Sequence, residues 1–243
     1  AFLEEGIALR RAGVTLPILV MGGIFGPQAA TVIANDLEVT VSSIDKLRQV
    51  EVAAESLGRR ATVHLKIDTG MERIGVHSYH AGPFIEAAVG SRWCRVKGVY
   101  SHLACADEPD SPVTARQLER FLGACAHFER VGAPMPLRHL ANSGGVLHFP
   151  ETWLDMVRPG AALYGYPVGG HQEFKRVMQF KSQVASVNAY PAGSTISYDR
   201  TFTLEKDSLI ANIPAGYSDG YRRAFSNVKW TGVSFAPCVQ AGP

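Results

Sequence analysis

The chain has 243 residues and a mass of 26.3 kDa, enough for one large domain or for one large and one small domain. Its 24 basic and 22 acidic residues leave a net charge of +2 with no basic run, so the composition points to neither nucleic acid nor an anionic membrane as partner. No apolar run reaches the length of a bilayer span, and Cys94, Cys105, Cys125 and Cys238 lack CxxC or histidine-clustered spacing, so they read as reduced thiols of a cytoplasmic protein with no metal site.

The opening AFLEEGIALRRAG reads as a helix closed by Gly13, with no signal peptide before it. Residue 1 is Ala, the first Met is Met21, and residues 241–243 complete no element; both ends therefore read as cut. PILVMG (17–22) is a short apolar strand, followed by a helical stretch over 27–35 and a strand in LEVTV (37–41). Ser42 and Asp45 have capping-box spacing ahead of a helix that carries Ile44, Leu47, Val50, Ala54 and Leu57 on one face. TVHLKI (62–67) is a strand, 79–89 a helix, VKGVYSH (96–102) a strand and 113–131 a long helix. RHLAN (138–142) is a strand followed by a short helix, and MVRPGAALYG (156–165) is a sixth strand region.

Apolar strands alternating with helices predict parallel β/α units. The unusual residues Asp68, His102, Asn142 and Arg158 all fall at strand carboxyl ends, where a (β/α)8 barrel holds its chemistry. An open doubly wound sheet is expected to show a glycine-rich dinucleotide loop after a strand, and none is present. The expectation is an incomplete (β/α)8 barrel of about six strands over 1–167. A mainly antiparallel β domain, also incomplete, is expected over 168–243, where β-branched residues and the turn PAGS (191–194) replace helical periodicity.

Taken singly, the charged and polar candidates are ambiguous. Lys66 and Arg73 in HLKIDTGMERIG (64–75) suit an anion pocket, or a lysine whose stem is buried while its head reaches water. Asn142 and Ser143 in HLANSGG suit a phosphate at a helix start, or an ordinary helix cap. Arg158 before Pro159 by itself suits the fixing of a loop carbonyl; His102 and Tyr217 are of types more often used in packing.

Together, EEGIALRRAG, PILVMG, KIDTGMERIG, GVYSHLACADE, HLANSGG, VRPGAALYG, AGSTISYDRTF and IPAGYSDGYRR, in this order, make the chain resemble the alanine racemase family from residue 1 to about residue 227. The resemblance implies a pyridoxal 5'-phosphate enzyme that interconverts L-alanine and D-alanine by two-base proton transfer at Cα, supplying D-alanine for peptidoglycan. It implies a head-to-tail homodimer with a shared active site. Carried over by motif, Arg158 faces the pyridine nitrogen, where it can only donate, so the ring nitrogen stays unprotonated. Ser143 lies on the cofactor phosphate with Asn142 beside the cofactor, Gly160 and Ala161 add backbone donors, and His102 packs against the ring. Arg73 contacts the substrate carboxylate and the cofactor's phenolic oxygen, and Lys66 is at a position often carbamylated in the family. Tyr217 is one of two acid–base groups on opposite faces of Cα, contributed by the partner subunit.

The family's Schiff-base lysine belongs to a segment ahead of residue 1, so the chain as given is expected to be inactive. Residues 229–243 depart from the family pattern and carry no functional reading. The alternatives are a broad-specificity amino-acid racemase and a non-enzymatic barrel protein that binds the same cofactor. Arg158 speaks against a decarboxylase, which uses an acidic residue at the pyridine nitrogen; the β domain and Tyr217 speak against the carrier.

Overall fold

The computed structural model describes residues 2–170, 174–222, 228–230, 233–235 and 239–241. The chain divides into two compact units, Ala1–Val177 and Met178–Pro243. Within the first unit, Val177 N–H donates to the Tyr164 carbonyl.

The first unit alternates strand and helix: α1 (Leu3–Arg11), β1 (Leu19–Val20), α2 (Gln28–Ala34), β2 (Glu38–Val41), α3 (Ile44–Ser56), β3 (Ala61–Asp68), β4 (Val76–His77), α4 (Ala81–Val89), β5 (Cys94–Tyr100), α5 (Val113–Arg130), β6 (Leu137–His139) and α6 (Ser143–His148). The strands form a curled parallel sheet in the order β1-β2-β3-β5-β6, with β4 added to the end of β3. This is the incomplete barrel that the alternation predicts. Ser43, not Ser42, caps α3, its hydroxyl accepting from Lys46 N–H at 3.0 Å. Leu47, Val50 and Ala54 of that helix are buried, whereas Leu57 at its end is 39% exposed.

Strand parity sorts the residues. On β2, β3 and β5 the apolar members Val39, Val41, Val63, Leu65, Ile67 and Val99 are all fully or almost fully buried in the core shared with the helices. The alternate positions carry Glu38, Thr40, His64, Lys66, Asp68 and Tyr100, also buried. Pairing aligns Thr40 with His64 and His64 with Gly98; one step on, Lys66 aligns with Tyr100, and Tyr100 with His139 of β6. The inner face of the curled sheet is therefore polar.

The sixth strand expected over 156–165 is absent. Pro159 has no N–H for a ladder, and the segment closes into turns in which Tyr164 N–H reaches the Gly160 carbonyl and Tyr166 N–H the Ala161 carbonyl. The second unit is antiparallel β: β7 (Ser186–Tyr190), β10 (Ser208–Asn212) and β13 (Val239–Ala241) form one sheet, with two-stranded pairs β8 (Thr195–Ile196) with β9 (Phe202–Thr203) and β11 (Val228–Trp230) with β12 (Val233–Phe235). The turn at 191–194 connects β7 to β8, with Gly193 at φ +81°.

Candidate active site

β3 delivers Lys66 and Asp68 to the carboxyl end of the sheet. Asp68 is buried and accepts four backbone N–H groups, from Gly70, Met71, Glu72 and Arg73, at 2.8 to 3.2 Å. Burial alone would raise its pKa, but these four donors outweigh it and hold the carboxylate below its ordinary value. Asp68 is thus the anchor of the loop that carries Arg73, whose own side chain is exposed.

Lys66 is 4% exposed, and its Nζ has no hydrogen-bond partner among the described residues. It lies 4.7 Å from the centre of the Tyr100 ring. Burial first, then the positive charges of Arg158 and Arg73, push its pKa down to about 7 against the pull of Asp68. The head does not reach water, so the snorkelling alternative fails here.

Arg158 approaches the same ring from 5.0 Å. Its Nη1 lies 2.9 Å from His139 Nδ1, and its Nη2 donates to the carbonyls of Ser101 and Leu140 at 2.6 and 3.2 Å. Its Nε is buried and has no partner among the described residues. Burial, opposed by Tyr100, lowers its pKa to about 10, which still leaves a cation at neutral pH. Arg158 therefore does fix backbone carbonyls, and its Nε is the nitrogen left without a partner among the described residues.

The Tyr100 ring also stacks on His139, 4.6 Å between centres at 10°, while its hydroxyl meets Thr40 Oγ1 at 2.8 Å. His102, half-buried after β5, is held neutral: burial, then Arg158, Lys66 and Arg73, take its pKa down to about 4. Its backbone is fixed by Gln117 of α5, which donates to the His102 carbonyl and to Thr69 Oγ1 and accepts from Ala104 N–H.

At the start of α6, Asn142 caps the helix by accepting from Gly145 N–H at 3.1 Å, and its amide donates to the Leu103 carbonyl. Ser143, 6% exposed, accepts from Ala162 N–H at 3.1 Å and so ties α6 to the turn holding Gly160 and Ala161. A side chain at Gly160 would meet no atom within 4 Å, so that backbone borders open space. Tyr217 belongs to the second unit, on a one-turn helix (Tyr217–Asp219), and is 68% exposed. Among the described residues no acidic, histidine and cysteine cluster fit to hold a metal ion is found, and no helix is long and apolar enough to cross a membrane. Cys94, Cys105 and Cys125 are free thiols, and burial raises Cys94 to about 11 and Cys125 to about 12; Cys238 lies outside the described residues.

The structure adds Thr40, His64, Tyr100, Ser101 and His139 to this group, none of which the motifs singled out. The available signal was parity: polar residues at every second position of β2 and β3, where a barrel core would hold aliphatic ones.

A curled parallel sheet with Lys66, His102 and Arg158 converging at its carboxyl end defines a β/α-barrel protein with a cationic pocket. The chain belongs to the alanine racemase family: the sequence profile of the alanine racemase N-terminal domain matches residues 1–167 and that of the C-terminal domain residues 177–242. An alanine racemase of Desulforamulus reducens is 40% identical over 233 residues, which is 93% of this chain and 63% of that protein. The structure of alanine racemase from Streptomyces lavendulae, 35% identical, superposes with a TM-score of 0.82 over 92% of this chain and 61% of that one. The fold is also that of the Bartonella henselae alanine racemase, 24% identical with a TM-score of 0.81 over 93% of this chain and 63% of that one, which holds covalently bound pyridoxal phosphate. The chain spans less than two thirds of the length of these relatives.

Proposed function

We propose that this chain contributes to an alanine racemase that interconverts L-alanine and D-alanine with pyridoxal 5'-phosphate. The observation that carries this reading is the buried Nε of Arg158, which has no partner among the described residues. An orphaned buried donor costs roughly 1–3 kcal/mol, and the pyridine nitrogen of this cofactor is an acceptor of the right kind. When bound, pyridoxal phosphate supplies an electron sink for the charge left at Cα when a proton departs.

The residues fit the group. Arg158, a cation at neutral pH, would donate to the ring nitrogen without giving up its proton, and so would leave that nitrogen unprotonated. That favours return of the proton to Cα. His102, neutral and half-buried, offers its flat face to the ring. Ser143 and Asn142, with the backbone of Gly160 and Ala161, would hold the phosphate. Arg73 receives the substrate carboxylate in its planar fork. Lys66 is the site of a carbamate: the free-amine form, about half of the population near pH 7, attacks carbon dioxide, releases a proton and becomes an anion that steadies Arg73. Tyr217 of a partner subunit moves the proton on one face of Cα, which makes the active enzyme a homodimer. A cytoplasmic location and a supply of D-alanine to peptidoglycan go with this activity.

The test is to assay the full-length protein in both directions with the cofactor and to follow deuterium exchange at Cα. Tyr217→Phe should slow proton removal from one enantiomer far more than from the other. Equal loss for both enantiomers overturns the assignment of Tyr217, and no cofactor-dependent racemisation overturns the function. Equal turnover of larger amino acids would identify a broad-specificity racemase instead.

A further inference from the structure

Behind Arg158 a file of hydrogen bonds crosses the inner face of the sheet. His139 Nδ1 is 2.9 Å from Arg158 Nη1, His139 Nε2 is 2.9 Å from His64 Nδ1, and His64 Nε2 is 2.9 Å from Glu38 Oε2. Lys97 contacts the other oxygen of Glu38. His64 and His139 are 2% and 0% exposed, and Glu38 is 9% exposed.

The direction of every bond follows from chemistry. A guanidinium has donors only, so His139 Nδ1 is bare and its proton is on Nε2. That proton faces His64 Nδ1, which must accept. The His64 proton is then on Nε2 and is donated to Glu38, which accepts as a carboxylate. Reversing one link would set two donors or two acceptors against each other. Gly98, paired with His64 across the strands, makes the file possible: a Cβ there would lie 2.2 Å from His64 Nδ1.

On the reading of Arg158 as the pyridine's partner, we propose that Glu38 and His64 are positioning residues for Arg158, with Lys97 maintaining the charge of Glu38. They commit His139 to accept from Nη1, and that bond, with the two carbonyls on Nη2, holds the guanidinium with Nε as the nitrogen left without a partner among the described residues. Neither residue touches cofactor or substrate. The His139 ring stays neutral. Burial lowers His64 against the pull of Glu38; burial first, then Arg158, His64 and Lys66, lowers His139 to about 2. Glu38 is held ionised by Lys97 and His64 although burial opposes it, and it also borders a cavity of about 270 Å³ lined by Arg59, Arg60 and Arg95.

The experiment uses the full-length protein with nitrogen-15 in its histidine rings. His64 and His139 are assigned from the signals lost in His64→Phe and His139→Phe. In the cofactor-free protein both rings are expected as the neutral Nε2–H tautomer at about pH 8, and His139 is expected to keep it down to about pH 6, across the range where an ordinary histidine titrates. Glu38→Gln should mix the tautomers of both rings and weaken binding of pyridoxal phosphate roughly fivefold, the scale of one weakened hydrogen bond. Lys97→Arg, which keeps the charge on Glu38, should leave both unchanged. If Glu38→Gln does not fold, Lys97→Met at the partly exposed end of the file makes the same comparison. An Nδ1–H tautomer on His139, a titration of His139 near 6.5, or wild-type cofactor affinity in Glu38→Gln and Lys97→Met overturns the proposal. Wild-type protein with the expected tautomers but no affinity for the cofactor overturns the proposed function and the positioning role with it, while the hydrogen-bonded file stands.

Discussion

Lys66 is the residue whose environment departs furthest from what its type prefers. It carries an ammonium group in a site that is 4% exposed, facing Arg158 and Arg73. Its pKa falls from 10.5 to about 7, so the folded protein releases a proton that the unfolded chain keeps. Below about pH 7 both states are protonated and the full penalty of a buried charge is present. Between about 7 and 10.5 the unfolded chain binds more protons, so stability rises with pH. In buffers free of carbon dioxide, urea midpoints of the wild type should climb through this window. Lys66→Met should flatten the slope and raise the midpoint below pH 7; an unchanged slope would remove Lys66 as its source. With labelled bicarbonate, a carbamate carbon signal present in the wild type should vanish in the same variant. At Gly98 the constraint is steric. Gly98→Ala should cost about 1–3 kcal/mol in urea unfolding, the range for overpacking, because the new methyl displaces a buried His64 that has nowhere to retreat. Wild-type stability would mean that the ring gives way freely.

At the scale of elements, β3 and the loop after it show what sequence could and could not convey. Alternation of apolar and polar residues through 61–68 is visible in the letters, and so is the abrupt arrival of Lys66, Asp68 and Arg73. The partners of the polar set were not. Glu38, His64, Tyr100 and His139 lie on four different strands, and only the register of the parallel ladder brings them together. Parity along each strand marks which residues face inward, but chain spacing does not say which of them meet. The missing sixth strand had the opposite cause: residues 156–165 have strand-like composition, but Pro159 lacks a ladder donor and the N–H of Ala162 is taken by Ser143. Asp68 holds the β3 loop through four backbone donors, and its pKa is lowered on balance. That contribution is therefore present above the ordinary carboxylate value and is lost as pH falls through the lowered folded value. Asp68→Asn should destabilise by about 1.5–3 kcal/mol, the scale of hydrogen bonds to a charge. Its stability curve should lack the part of the acid limb due to this carboxylate. A curve parallel to wild type in acid would show that Asp68 titrates normally.

For the whole molecule, the division at Val177 separates the chemistry into two sets. Arg158, His102, Lys66, Asn142 and Ser143 belong to the first unit, and Tyr217 to the second. On the proposed reading, a working site combines the first set of one subunit with Tyr217 of its partner, so the two sets can be inactivated on different chains. Full-length Arg158→Gln and Tyr217→Phe proteins should each be poorly active alone. Mixed under conditions that exchange subunits, half of the dimers are hybrids, and each hybrid holds one intact site and one doubly damaged site. Racemase activity should then return to roughly a quarter of the wild-type level, the share of intact sites in a randomly exchanged twofold dimer. If Tyr217 served its own subunit, each hybrid would hold one site of each damaged kind, and mixing would only average two poor activities. The test needs no structure of the dimer, because the arithmetic of recovery alone distinguishes a site shared between subunits from a site contained in one.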